Sequence, residues 1–101
     1  MAQYRLSAQA ESDLDGIADY TIETWGQAQS DRYLSQLLAC CERLAYTPQL
    51  DRAFSGRRPG LMRRNEGEHM ILYRRDYGAG IRVVRVLHQR MLPEAHLIDD
   101  E

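Results

Sequence analysis

Between residues 8 and 48 the apolar positions recur at steps of three and four, and the pattern restarts once, at Gly26. In "AESDLDGIADYTIETWG" the stripe is Ala10, Leu14, Ile17, Ala18, Thr21 and Trp25, while Asp13, Asp15, Asp19 and Glu23 fall on other faces. Ser7 has the chemistry of an N-cap, with Glu11, Asp13 and Asp15 near the positive end of the helix it would start. In "QAQSDRYLSQLLACCERLAYTP" the stripe is Tyr33, Leu34, Leu37, Leu38, Cys41, Leu44 and Ala45, and Pro48 marks the stop. With only Gly26 and a neighbour or two between them, the helices must fold back as an antiparallel hairpin. Trp25, in phase with Ile17 and Thr21, is expected to be a core residue at the hairpin corner, where truncation to Ala would leave a cavity.

The period then changes from helical to two. "YRL" reads as a short first strand, and "LMRRNE", "HMILYRR" and "IRVVRVLH" as three more, with Gly67 and "DYGAG" as corners and "QLDRAFSGRRPG" as a polar loop. The order β-α-α-β-β-β predicts a single α+β domain over residues 1–101, a mostly antiparallel sheet with the helical hairpin on one face. Alternation puts His69, Ile71, Tyr73 and Arg75 opposite Met70, Leu72 and Arg74, and Arg82, Val84, Val86 and His88 opposite Ile81, Val83, Arg85 and Leu87. Both faces are partly apolar and partly cationic, yet the helices cover only one. A groove for a partner is therefore expected, built from Met70, Leu72, Tyr73, Arg74, Arg82 and Val84.

Charge sharpens that expectation. Residues 1–51 hold eight acids and three arginines, residues 52–90 hold three acids and ten arginines, and residues 91–101 hold four acids. All thirteen basic residues are Arg, the side chain suited to bidentate pairing with carboxylates or phosphates. No apolar run reaches the roughly 20 residues of a membrane span, and "MAQYRLSAQAESD" has no signal-like core, so a cytoplasmic protein is expected. Cys40 and Cys41, adjacent on a helix, diverge by about 100° and read as buried small apolar groups.

Catalytic signatures are few. There is no Ser-His-Asp pattern, Gly-rich phosphate loop or His/Cys cluster at metal spacing, so no cofactor or metal is expected. The arginines with Tyr73 and His88 leave open a metal-independent ribonuclease, with His88 as acid or base, or merely charged strand edges that resist aggregation.

The segments "YRLSAQAESDLDGIADYTIETWG", "ERLAYTPQL", "RPGLMRRNEGEHMILYR" and "VRVLHQRMLPEAHL" together resemble the ParE branch of the RelE/ParE toxin superfamily, in register over nearly the whole chain. Tyr20 with Trp25-Gly26, Arg58-Pro59-Gly60, Gly67 with His69 and Tyr73-Arg74, and the run from Arg85 to Arg90 carry the likeness. The resemblance implies a non-catalytic toxin of a type II toxin-antitoxin module that inhibits DNA gyrase. It implies neutralisation in a hetero-oligomer by a ParD-like antitoxin lying in the groove, with no sequence-specific nucleic-acid binding. Arg85, His88 and Arg90 are the expected target-binding residues, with His88 past the strand's end so that it can share a site with Arg85. RelE-like relatives instead cut mRNA on the ribosome with Lys, Arg and a late Tyr; this chain has no Lys and no Tyr after Tyr77, which favours gyrase. A remnant acting only as antitoxin-binding co-repressor is the third alternative. Leu92 and Ala95 depart from the family's usual acidic and basic residues.

Overall fold

The computed structural model describes residues 3–46, 52–53, 60–76 and 80–91. Strand β1 (Tyr4–Leu6) runs into Ser7, which sits in extended backbone at φ −67° and ψ 164° and caps α1 (Ala8–Trp25) by accepting the Ala10 N–H at 3.0 Å. Gly26, at φ +89°, ends α1 and donates its N–H to the Ile22 carbonyl; α2 (Gln27–Tyr46) starts at the next residue. The predicted hairpin is formed. A buried hydrogen bond between the Thr21 and Ser30 hydroxyls, 2.7 Å long, ties the helices near their junction.

The sheet order is β1-β5-β4-β3-β2, made from β2 (Arg52–Ala53), β3 (Met62–Glu66), β4 (His69–Arg75) and β5 (Ile81–His88). β1 pairs with β5 in parallel, and the other pairs are antiparallel. β2 is an addition to the predicted order; two residues are too few to leave an alternating pattern inside what reads as a loop. Gly67 begins the two-residue turn between β3 and β4 at φ +58°, and a Cβ there would lie 2.6 Å from the Tyr33 ring, so the turn and the ring require its lack of a side chain.

Two apolar clusters fill the sheet's faces. The larger joins Ile17, Tyr33, Leu37, Cys41 and Leu44 from the helices to Ile71, Tyr73, Ile81, Val83 and Val86. Burial pushes the Cys41 thiol up to about 12, with Cys40 beside it adding to the rise, so these cysteines are inert packing groups. The second cluster is Leu61, Met70, Leu72, Val84 and Leu87, all buried. Among the described residues the apolar groove expected on that side is not open: Met70, Leu72 and Val84 are already buried, and Tyr73 belongs to the helix-side core. Of the six residues expected to form it, Arg74 is half-buried and Arg82 is exposed.

Trp25 also departs from expectation. It is 39% exposed and touches the core through an edge-on contact with Tyr33, ring centroids 5.6 Å apart. Being the last residue of α1, it stands at the hairpin corner against Tyr33 of α2. Leu37→Ala should therefore cost about 2–5 kcal/mol in urea unfolding, and Trp25→Ala only about 1 kcal/mol; equal losses would return Trp25 to the core.

Candidate functional site

The site begins with a shortage of strand. β1 pairs with Ile81, Arg82 and Val83, so among the described residues β5 from Val84 onward has no strand on that side. Backbone polar groups left bare at such an edge must find partners. α1 supplies them. Ser7 donates its N–H to the Val83 carbonyl at 2.9 Å and its hydroxyl to the Val84 carbonyl at 2.6 Å, and Asp13 Oδ2 accepts the Val86 N–H at 2.9 Å.

The same carboxylate takes Arg85 in a fork, with Nε to Oδ2 and Nη2 to Oδ1 both at 2.8 Å and the two side chains 15% and 14% exposed. A pairing shift between Leu72 and Tyr73 leaves one extra residue, Val84, on β5. Beyond the Asp13–Arg85 pair the edge opens into a cavity of about 450 Å³, walled by Ile17, Tyr20, Val86, His88 and Met91. Because it straddles a strand edge, consecutive residues from both faces of β5 reach it.

A row of rings leads to this cavity from the hairpin corner. Trp25 meets Tyr33 edge-on, Tyr33 lies 5.5 Å from His69, and His69 meets its cross-strand partner His88 edge-on at 5.4 Å. The Tyr33 hydroxyl accepts the Glu68 N–H at 3.0 Å and shares a hydrogen bond with His69 Nδ1 at 2.5 Å. Burial, and then the nearby His88, hold the His69 pKa below the ordinary imidazole range, and the ring is neutral at pH 7. His88 is half-exposed, and its Nδ1 accepts the Arg90 N–H at 3.1 Å.

Of the expected target-binding residues, Arg85 and His88 line one cavity, and Arg90 is exposed in the turn beside it. His88 is the final residue of β5 and still pairs with His69, so it is the open edge that lets it share a site with Arg85. The sequence reading missed Asp13, Tyr20, Tyr33 and Met91. Asp13 falls off the apolar stripe of α1 and leaves no local sign of this role, because its partner lies 72 residues away.

The family described as ParE toxin of type II toxin-antitoxin system, parDE, matches residues 4–93. Toxin ParE1 of Caulobacter vibrioides is 38% identical over 97 residues, covering 96% of this chain and 99% of its own. Toxin ParE1 of Mycobacterium tuberculosis is 40% identical over 90 residues, covering 89% and 92%. A chain of the chromosomal ParDE system from P. aeruginosa superposes with a TM-score of 0.72 at 17% identity, covering 87% of this chain and 96% of that one. A chain of the RelBE2 toxin-antitoxin complex from Mycobacterium tuberculosis gives 0.57 at 17% identity. At that identity both likenesses are of fold.

Two measurements check the site's construction. Asp13→Asn leaves Arg85 half-buried beside an amide and should cost roughly 3 kcal/mol, against under about 0.5 kcal/mol for the exposed Asp15→Asn. For His69, a folded-state pKa below the unfolded value of about 6.5 means that the unfolded chain binds more protons on acidification. That contribution to stability is complete above pH 6.5 and is lost as pH falls through the lower folded-state value. The thermal midpoint should drop between pH 7 and pH 5 more steeply in wild type than in His69→Gln; parallel curves would remove His69 as the cause.

Proposed function

This chain belongs to the ParE toxin family of type II toxin-antitoxin systems, and we propose that it binds DNA gyrase, performs no chemistry itself, and so blocks replication until a ParD-like antitoxin covers it. The observation that carries the non-catalytic part is the Asp13–Arg85 fork. The guanidinium that lines the cavity with His88 already has its counter-charge and would have to surrender it to hold a phosphodiester. His69 is committed to Tyr33.

In this reading the open end of β5 is the target surface. His88 and Arg90 make the contacts, Tyr20 and Met91 frame an apolar seat, and Arg85 acts by fixing α1 against β5. The antitoxin occupies the opposite face of the sheet in a hetero-oligomer, meeting Arg74 and Arg82, while Met70, Leu72 and Val84 form the floor beneath and Tyr73 backs the sheet from the helix side. The cytoplasm, where gyrase works, is the proposed location; among the described residues no helix is long and apolar enough to cross a membrane.

The test assays gyrase-dependent DNA cleavage and ribosome-dependent mRNA cleavage in parallel. Wild type should trap cleaved DNA and leave mRNA intact, and His88→Ala or Arg90→Ala should weaken the gyrase effect about 5- to 10-fold without lowering the thermal midpoint. Robust mRNA cutting with no gyrase effect, and a loss of roughly 10²-fold in that cutting for His88→Ala, would make the protein a ribonuclease instead. Induction without growth inhibition would leave only the co-repressor role.

A further inference from the structure

The partners that α1 supplies to the β5 edge end at Asp13. On β5 the Ile81 N–H is donated to the Gln3 carbonyl and the Val83 carbonyl accepts the Ser7 N–H, both on the β1 side. Past the extra residue, Val84, Asp13 meets the Val86 N–H on that same side, while the Gln89 N–H turns the other way to the Glu68 carbonyl. Backbone groups alternate in direction along a strand, so the Val86 carbonyl and the His88 N–H both face the open edge. Neither has a partner among the described residues, and the His88 carbonyl is taken by the Met91 N–H. Val86 is 3% exposed, so its carbonyl is a nearly buried acceptor without a donor, a costly arrangement. Across the cavity stands Gly16, on the helix face it shares with Asp13 and Tyr20. A glycine in mid-helix is less stable than alanine, and a Cβ there would meet nothing within 4 Å.

We infer that the open end of β5 clasps one residue of an extended, uncharged segment of a partner protein, added to the sheet as a short strand parallel to β5. The free groups set the direction. A parallel neighbour uses the carbonyl of one residue and the N–H of the residue two further on, which is what Val86 and His88 offer; β1 pairs with the earlier part of β5 in the same sense. An antiparallel neighbour needs both groups of a single residue, but Asp13 holds the Val86 N–H and Met91 the His88 carbonyl. The clasped residue lies opposite Leu87, on the outer face, and the residues before and after it turn their side chains to the helix side, toward Ile17 and Tyr20. The ion pair at that cavity, Asp13 with Arg85, is already compensated, so nothing there offsets the burial of a further charge and the flanking side chains are apolar. The inference rests on the toxin reading only for the owner of the segment, the target protein.

The test adds acetyl-Leu-Ser-Leu-amide to the ¹⁵N-labelled full chain and follows the backbone amide signals and their exchange with deuterium. In the free chain the His88 amide should exchange fast, and the Val86 amide, bonded to Asp13, about tenfold or more slowly. The peptide should shift the His88 signal saturably, slow its exchange, and bind equally at low and high salt. The same peptide N-methylated at its serine has no donor for the Val86 carbonyl and should bind about tenfold or more weakly, as should acetyl-Glu-Ser-Glu-amide. Gly16→Leu fills the empty space from the helix side; it should melt no lower than wild type and lose the peptide about tenfold or more. Failure of the first peptide to bind, equal binding of the N-methylated one, or undiminished binding by Gly16→Leu would overturn the inference, and so would a lower midpoint for that variant, since the space would then be taken. A His88 amide already protected in the free chain would also overturn it: the seat would be filled by the chain's own C-terminal residues if the protection ignores concentration, and by a second copy if it grows with concentration. No gyrase enters the measurement: a protein that clasps the peptide but spares gyrase sinks the gyrase reading alone, and one that poisons gyrase but ignores the peptide sinks this one alone.

Discussion

The edge of β5 beyond Val83 is the constraint around which the rest is arranged. A three-residue β1 cannot pair an eight-residue strand, and a bare edge invites pairing with other chains. α1 resolves this by starting where β1 ends. Ser7 serves as helix cap and edge partner in one residue, and Asp13, less than two turns further on, reaches the next free backbone N–H. The helix is thereby docked by directed bonds as well as by the burial of Ile17 and Thr21.

From that docking the candidate site follows. A helix held beside a strand edge leaves a gap where strand and helix diverge, and the 450 Å³ cavity is that gap. Its far wall is stiffened by the Tyr33 hydroxyl, which joins α2 to the β3–β4 turn through Glu68 and to β4 through His69. The Gln89 amide group then ties the end of β5 to the Gly67 carbonyl of the same turn. These bonds hold the end of β5, where His88 and Arg90 stand.

The arginines of this region do different work although they look alike in sequence. Arg85 is neutralised by Asp13 and is part of the architecture. Arg82, three residues earlier on the same strand, stands between two other arginines on the outer face. Like charges directly opposite on neighbouring strands cost the sheet some stability.

Sequence alone determined what depends on neighbours within a few residues: the helices broken at Gly26, the cap at Ser7, and the strands at residues 69–75 and 81–88 follow from periods of 3.6 and 2. It also carried the family resemblance, because those segments appear in order along the chain. Three things were decided only in the folded chain. Asp13 meets Arg85 across 72 residues, Tyr33 meets His69 across 36, and neither contact leaves a local signature. The apolar residues read as an open groove proved to be a buried second cluster, because alternation tells which face a side chain takes but not what covers that face. The end of β5 escaped the rule of opposite faces because a pocket at a strand edge draws on both, and where a sheet ends is set by the length of the strand beside it.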